Sequence, residues 1–427
     1  MKTRFRSFFL PGILLLALVS CKKDNGNDNT IAIVNKNIYD LMKEVYLWNT
    51  YLPASIDPSA YSTPVDFIDA LRYSTYDRWS TVLTKEEFNQ YFVDATLIGH
   101  GFMLGLDESN NLRIAFLYPT TQAYAQGVRR GWIVTKVNGT VATPDNVFTL
   151  LGASEVGITN SITFIDNSGA TVVKSLTKEQ VNISPVVYHK VFTQGSDKIG
   201  YFVFQDFIDA ANTQLDAVFD TFRTAGVNEV IIDMRYNGGG SVDVAEHLAS
   251  WLIGKDFGNQ PFIKYQHNLN LAGTEDTTIN LQPNPSGMSL GRIFFIGTSN
   301  TASASELVIN GVKPYVESIL AGTATHGKPV GMYAFQFTNY DYVVLPICFK
   351  YSNADNEGDF YNGLQPMLPA NDDLSKDFGD PDEASLRAAL DYIQTGAVPL
   401  KSITRTSAGR VKLIEPGKPI NQYLKAY

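Results

Sequence analysis

Three glycine-punctuated turns carry the groups of this 427-residue chain that are suited to chemistry. The first, Asp233-Met234-Arg235-Tyr236-Asn237-Gly238-Gly239-Gly240-Ser241, follows an apolar strand and precedes a helix. It lacks the Lys-Ser/Thr of a P-loop and the glycine spacing of a dinucleotide fingerprint, so no nucleotide cofactor is expected. A strand-to-helix turn of this kind has another use, because its free N–H groups can hold a developing oxyanion. The second turn, Gly297-Thr298-Ser299-Asn300-Thr301-Ala302-Ser303-Ala304-Ser305-Glu306-Leu307, sets serines at the start of a helix, near backbone donors and the positive dipole end. The third, Gly322-Thr323-Ala324-Thr325-His326-Gly327-Lys328, ends on a lysine 25 residues after Ser303. Taken singly, each has a plainer role: a serine there caps a helix, and a lysine after glycine is a solvated charge. Metal chemistry lacks ligands. His100, His189, His247, His267 and His326 form no His-x-x-x-His pair, and Cys21 and Cys348 form no cluster.

These turns need elements to position them. Strand-like Ile199–Phe204, Val230–Ile232 and Ile293–Ile296 alternate with helical Asn212–Arg223, Val242–Leu252 and Leu307–Val312, which predicts an α/β core. From about Ile31 to Phe92 the spacing is helical, with Ile38, Leu41, Met42 and Val45 in one stretch and Val65, Phe67, Ile68 and Leu71 in another. Thr63-Pro64 reads as a helix start. Between these parts lie short alternating segments, Gly101–Leu106, Leu112–Leu117, Trp132–Val137 and Ser161–Ile165, with turn signals at Asn138-Gly139 and Asn167-Ser168-Gly169. This is a small β-rich module. The composition (44% hydrophobic, 18% charged) is that of a globular protein, and a net charge of −9 with no basic stripe excludes a nucleic-acid partner. Two cysteines make a disulfide framework an unexpected feature. At the start, Lys2, Arg4 and Arg6 precede the apolar run Phe8–Val19, too short to span a membrane and suited to a secretory signal.

Two resemblances sharpen this reading. Leu18-Val19-Ser20-Cys21 resembles a bacterial lipobox, which implies that Cys21 is lipidated and that Lys22–Thr30 is a polar tether; the residues after Cys21 resemble export tags of Bacteroidetes surface lipoproteins. The implied location is the cell envelope, anchored to the outer membrane on its periplasmic or outer face. Gly99-His100-Gly101-Phe102, with Ala123–Ile133 and Val137-Asn138-Gly139 downstream, resembles a PDZ domain. In that fold such a loop captures a peptide's terminal carboxylate while the following strand pairs with its backbone. His100 is expected to be a bystander there.

The three turns together resemble the carboxyl-terminal processing peptidases, tail-specific serine proteases with a Ser-Lys dyad and an inserted PDZ domain. Asp233–Gly240 matches their Asp-Leu-Arg-x-Asn-x-Gly-Gly segment with Met234 for leucine, and Thr301–Glu306 matches Ser-Ala-Ser-Ala-Ser-Glu with Thr301 for the first serine. The resemblance implies Ser303 as nucleophile, Lys328 as base, and the N–H groups of Gly239 and Ala304 as oxyanion donors. It also implies an α/β multi-domain architecture: a crotonase- or ClpP-like protease core with an inserted β-rich PDZ domain and a helical N-terminal segment. The boundaries that follow are signal 1–20, tether 21–30, helical segment 31–94, PDZ-like domain 95–182, core 183–400 and extension 401–427. The implied substrates are polypeptides with accessible carboxyl-terminal tails, and no cofactor is implied. Two positions depart from the family. Met332 stands where members often carry a Gln that orients the lysine, and Pro314 where some carry an acidic residue. Thr325 or a backbone carbonyl is then left to position the amine. For Lys328 to act as a base its pKa must fall from near 10.4 to about 7, which requires roughly 4–5 kcal/mol from an apolar pocket. His326, two residues earlier and on the same side if the segment is a strand, is an alternative base. The rival from another class is a non-catalytic envelope lipoprotein that binds tails through the PDZ module. Acyl transfer on a non-peptide substrate is a third reading.

Overall fold

The computed structural model describes residues 27–398 and 411–414. Its centre is a six-stranded sheet in the order Val186–Gln194, Asp197–Phe204, Glu229–Asp233, Arg292–Gly297, Glu317–Gly322, Leu368–Pro369. The first two strands form an antiparallel hairpin, and the remaining pairings are parallel. Side chains alternate between the two faces of a strand. Phe202, Phe204, Ile232 and Phe295 therefore join one apolar layer with the helices Ala211–Ala225, Val242–Phe257 and Ala304–Val312. Tyr201, Val203, Ile231, Phe294 and Ile296 join the opposite layer under the helix Ala384–Thr395. Helices on both faces leave these strands buried throughout, which is why the sequence shows apolar runs there instead of alternation.

The three turns emerge side by side because their strands are neighbours in register. Asp233 pairs with Ile296, and Gly297 with Gly322, so all three turns leave the same carboxyl edge of the sheet. That edge is where α/β sheets place their ligands. A Cβ on Gly322, at φ +115°, would lie 2.2 Å from the Gly297 carbonyl oxygen, so the two strand ends approach this closely only with glycine at 322.

The N-terminal segment departs from the expected all-helical reading. Helices Asn27–Val45 and Pro64–Leu71 are present, the second capped by Thr63 with Pro64 in its first turn. Thr81–Thr84, however, is a strand paired antiparallel with Tyr342–Leu345. Phe67, Ile68, Leu71 and Trp79 share a buried cluster with Val330, Val344 and Ile347. The segment is thus built into the core, through a non-local pairing that helical periodicity does not reveal.

The β-rich module contains an antiparallel sheet ordered Lys412–Ile414, Phe102–Leu106, Leu112–Leu117, Ile133–Val137, Thr159–Ile165, Thr171–Thr177. It is joined to the core by buried charges. Arg130, fully buried, donates to Asp372 at 2.6 Å and to the Tyr236 hydroxyl at 2.7 Å. Arg235 donates to Asp372, Glu383 and Asp233 at 2.7–2.9 Å. Burial alone would raise the Asp372 carboxyl, but the Arg130 and Arg235 guanidiniums hold it below the usual carboxylate range. Removing one partner of such a buried group is far more damaging than the pair is stabilising. Arg130→Met is therefore expected to destabilise the protein by about 3–5 kcal/mol, read by urea unfolding; an unchanged midpoint would show the network to be dispensable.

Candidate active site

Ser303 sits at the turn between strand Arg292–Gly297 and helix Ala304–Val312 with φ +54° and ψ −116°. A non-glycine residue held there stores roughly 1–3 kcal/mol of backbone strain, and surrounding contacts must enforce it. They do. The Ala302 N–H donates to the Asn237 carbonyl and the Ser305 hydroxyl to the same oxygen, both at 3.1 Å. The small side chains of Ala302, Ala304 and Ser305 let the turn lie against Asn237 in this way. Thr301 Oγ1 donates to the Met234 carbonyl at 2.7 Å, and Thr298 Oγ1 donates to the Arg235 carbonyl. The Ser303 turn and the glycine turn are thereby one hydrogen-bonded unit.

Glu306 ties the third turn to them. Its fully buried carboxylate accepts from the Ser303 N–H (3.1 Å), the Thr325 hydroxyl (2.5 Å), the Gly327 N–H (2.7 Å) and the Lys328 N–H (2.8 Å). Burial pushes the carboxyl above its ordinary range, while these four donors favour the charged form. The Tyr351 hydroxyl lies 3.2 Å from the Ser303 carbonyl and 3.0 Å from the Lys328 carbonyl. Both backbones are therefore fixed relative to each other twice over.

The Lys328 side chain is fully buried, and its amine makes no hydrogen bond among the described residues. An ammonium without a partner is strongly disfavoured in such a place. Burial pushes its pKa down to about 7, against the charges of Asp77 and Glu306, which favour the protonated form. The amine lies over the Trp79 ring, Nζ 5.9 Å from the ring centroid. Asp77 is itself held by the Tyr46 hydroxyl (2.8 Å) and the N–H groups of Trp79 (2.9 Å) and Ser80 (3.0 Å). Ser303 and Lys328 are not hydrogen-bonded to each other here; such contacts are often long in ligand-free sites and tighten around substrate.

Several sequence expectations are altered by this geometry. Residues 323–329 are a loop, not a strand. His326 Nε2 accepts from the Trp79 indole N–H at 3.0 Å, and Nδ1 faces the Ser299 carbonyl at 3.3 Å. Both ring nitrogens are engaged, so His326 would have to give up one of these contacts to act as the alternative base. Thr325 serves Glu306 and accepts the Leu364 N–H, so it does not orient the amine. Of the two N–H groups expected to receive an oxyanion, that of Ala304 opens its helix and has no intrahelical acceptor. The Gly239 N–H instead donates to its neighbour Asn237 Oδ1 at 2.9 Å, a local turn bond that a bound oxyanion would have to replace.

In the module, Gly101 has φ +71°, and a Cβ there would meet Thr121 Cγ2 at 2.2 Å. Gly99 closes the preceding strand, and Phe102 opens the next. His100 is buried, with Nε2 2.8 Å from Asn160 Oδ1 and its ring stacked on Phe102; burial pushes its pKa down. Cys348 is buried, its thiol pushed up to about 12 by burial, as suits an inert core residue. Cys21 lies outside the described residues. Sequence reasoning missed Asp77 and Trp79. They follow a helix in a short stretch of polar and aromatic residues with no regular period, and nothing local ties them to residue 328.

Residues 34–81 match the peptidase S41 N-terminal domain, and residues 198–368 match peptidase family S41, together about half of the chain. The chain belongs to peptidase family S41. The S41 N-terminal match ends just beyond Asp77 and Trp79, and the S41 match contains all three turns. A crystal structure of an S41 protease candidate from Bacteroides fragilis superposes with a TM-score of 0.72 at 25% identity, covering 89% of this chain and 99% of that one. The photosystem II D1 C-terminal processing protease, 17% identical, shares the fold with a TM-score of 0.50 over 81% of this chain and 93% of its own. Among curated relatives, a protein of Staphylococcus haemolyticus inferred to be a CtpA-like serine protease is 24% identical over 307 residues, which is 70% of this S41 chain and 58% of the relative's length. This chain thus spans well under two thirds of that relative.

Proposed function

We propose that this S41 chain is a serine endopeptidase of the tail-specific type, acting through Ser303 and Lys328. The observation that carries the reading is the buried, unpartnered Lys328 amine, which burial brings to about 7 and whose backbone shares the Glu306 carboxylate with that of Ser303. A neutral amine there takes the Ser303 hydroxyl proton as Oγ bonds to the peptide carbonyl carbon. The negative charge that develops on the carbonyl oxygen is received by the Ala304 N–H and by the Gly239 N–H released from Asn237. As the C–N bond breaks, Lys328 returns the proton to the leaving amine, and water then hydrolyses the acyl ester. The β-rich module is the tail-capturing PDZ part in this reading, with the Gly99–Phe102 loop facing the terminal carboxylate. Anchoring to the envelope through a lipidated Cys21 belongs to the same proposal.

The test is cleavage of an unstructured polypeptide with a free tail, alongside labelling by a serine-directed fluorophosphonate. Ser303→Ala should abolish both, whereas His326→Gln should keep activity within about tenfold of wild type, as expected for a residue outside proton transfer. Equal cleavage by wild type and Ser303→Ala would defeat the assignment. A specific observation favours a second reading, a non-catalytic tail-binding lipoprotein: the Gly239 N–H is engaged by Asn237, and Met332 supplies no hydrogen bond to the amine. In that case wild type would bind tails and remain unlabelled.

A further inference from the structure

The strand Phe102–Leu106 begins directly after the Gly99–Gly101 loop and pairs on one side with Leu112–Leu117. Its other side would be a free sheet edge, a row of unpaired N–H and C=O groups open to any extended chain. In this molecule a segment of the same chain covers it. Lys412–Ile414 adds antiparallel, with Lys412 opposite Leu106, Leu413 opposite Gly105 and Ile414 opposite Leu104. The segment therefore runs towards the loop, the direction in which a captured tail would point its carboxylate.

The side chains fit as well as the backbone. Lys412 is exposed, while Val411, Leu413 and Ile414 are half-buried. Ile414 packs on the module's own core with Leu104 and Leu151. Val411 and Leu413 pack with Phe116, Tyr118 and Leu374, at the junction of module and core. The bare backbone of Gly105 makes room: a Cβ there would lie 3.1 Å from Val411 Cγ1 and 3.2 Å from Leu374 Cδ1. This is strand addition with aliphatic anchors, the mode by which peptide-binding modules recognise extended partners.

We propose that residues 411–414 are the built-in occupant of this edge, and that a polypeptide tail reaches the module by displacing them. The inference rests on the tail-capture reading above and adds an intramolecular competitor to it. Tethering gives such a segment an effective concentration in the millimolar range, so a free tail of equal intrinsic affinity binds far more weakly than the bare edge would allow. Tails with stronger anchors at the Leu413 and Ile414 positions are selected.

The full chain tests this with Leu413→Asp/Ile414→Asp. The probe is a fluorescent octapeptide with the sequence of residues 407–414 and a free carboxylate. Its binding is read by anisotropy, and edge occupancy by amide hydrogen exchange of residues 102–106. The double variant should bind the probe about tenfold or more tightly than wild type and exchange faster at 102–106. As a second arm that leaves the packing side chains intact, a specific protease site placed after Thr406 lets the segment be cut free of its tether. Cutting should strengthen probe binding by a similar factor. Equal probe affinity in wild type, double variant and cut protein overturns the inference while leaving tail capture standing. An edge that is freed in the exchange experiment yet takes no probe overturns tail capture, and displacement with it.

Discussion

Lys328→Met is expected to lower the rate of Ser303 acylation by roughly 10³- to 10⁴-fold while making the fold more stable at neutral pH. The two effects share one cause. In the unfolded chain the amine stays protonated to near 10.4, whereas in the folded protein burial holds its pKa at about 7. Between those values the unfolded state binds the extra proton, so stability rises with pH across the window from about 7 to 10.4. At pH 7 the burial of this amine opposes folding by about 4 kcal/mol, and methionine, of similar shape and without charge, removes that burden. Wild type should therefore show stability that climbs from neutral to alkaline pH, and Lys328→Met should lie above it at pH 7 and meet it near pH 10. The same titration governs activity: kcat/KM should fall tenfold per pH unit below about 7 and level off above it. Urea unfolding and rate profiles over pH 5–10 check both. A variant no more stable than wild type at pH 7 would mean that the amine is solvated and cationic.

Glu306→Gln should cost at least about 10²-fold in kcat/KM, although Glu306 touches no reacting atom. All four of its partners are donors, two on each carboxylate oxygen. An amide nitrogen at either position would face two donors, and each buried N–H left unpaired costs about 1–3 kcal/mol. The Ser303 turn and the Lys328 loop then lose their common anchor, and misplacement by a fraction of an ångström is enough to slow attack. Charge supplies a second readout that packing alone would not move. The Glu306 carboxylate favours protonated Lys328, so in the variant the acid limb of the residual activity should shift to lower pH. A full-length rate loss with an unshifted limb would restrict Glu306 to a scaffolding role.

How much of this was legible in the sequence follows the range of the interactions. The strand Leu112–Leu117 and the helix begun by Thr63-Pro64 are local decisions of alternation and capping, and they stand where their patterns place them. The three turns were legible because chemistry fixes their residue types, and their meeting follows from neighbouring parallel strands. Thr81–Thr84 falls within a stretch of helical spacing, and the partner that makes it a strand lies far along the chain, at Tyr342–Leu345. Asp77 and Trp79 were invisible for the same reason. Met332 and Pro314 marked the loss of the usual lysine partners but gave no hint that burial, an indole ring and two carboxylates define the amine's surroundings. The Asn237 bond to Gly239 is a side-chain choice among several open to a glycine turn, and composition does not select it.

The contact between Trp79 and His326 spans 247 residues, and this separation has a bearing on timing. At ribosomal rates the tryptophan precedes its partner by roughly 12 to 50 s. Lys328 follows His326 by two residues, so the Trp79 ring that lies over its amine is always synthesised first. The buried surroundings of the amine are thus complete only once two segments, 247 residues apart at this contact, have folded together.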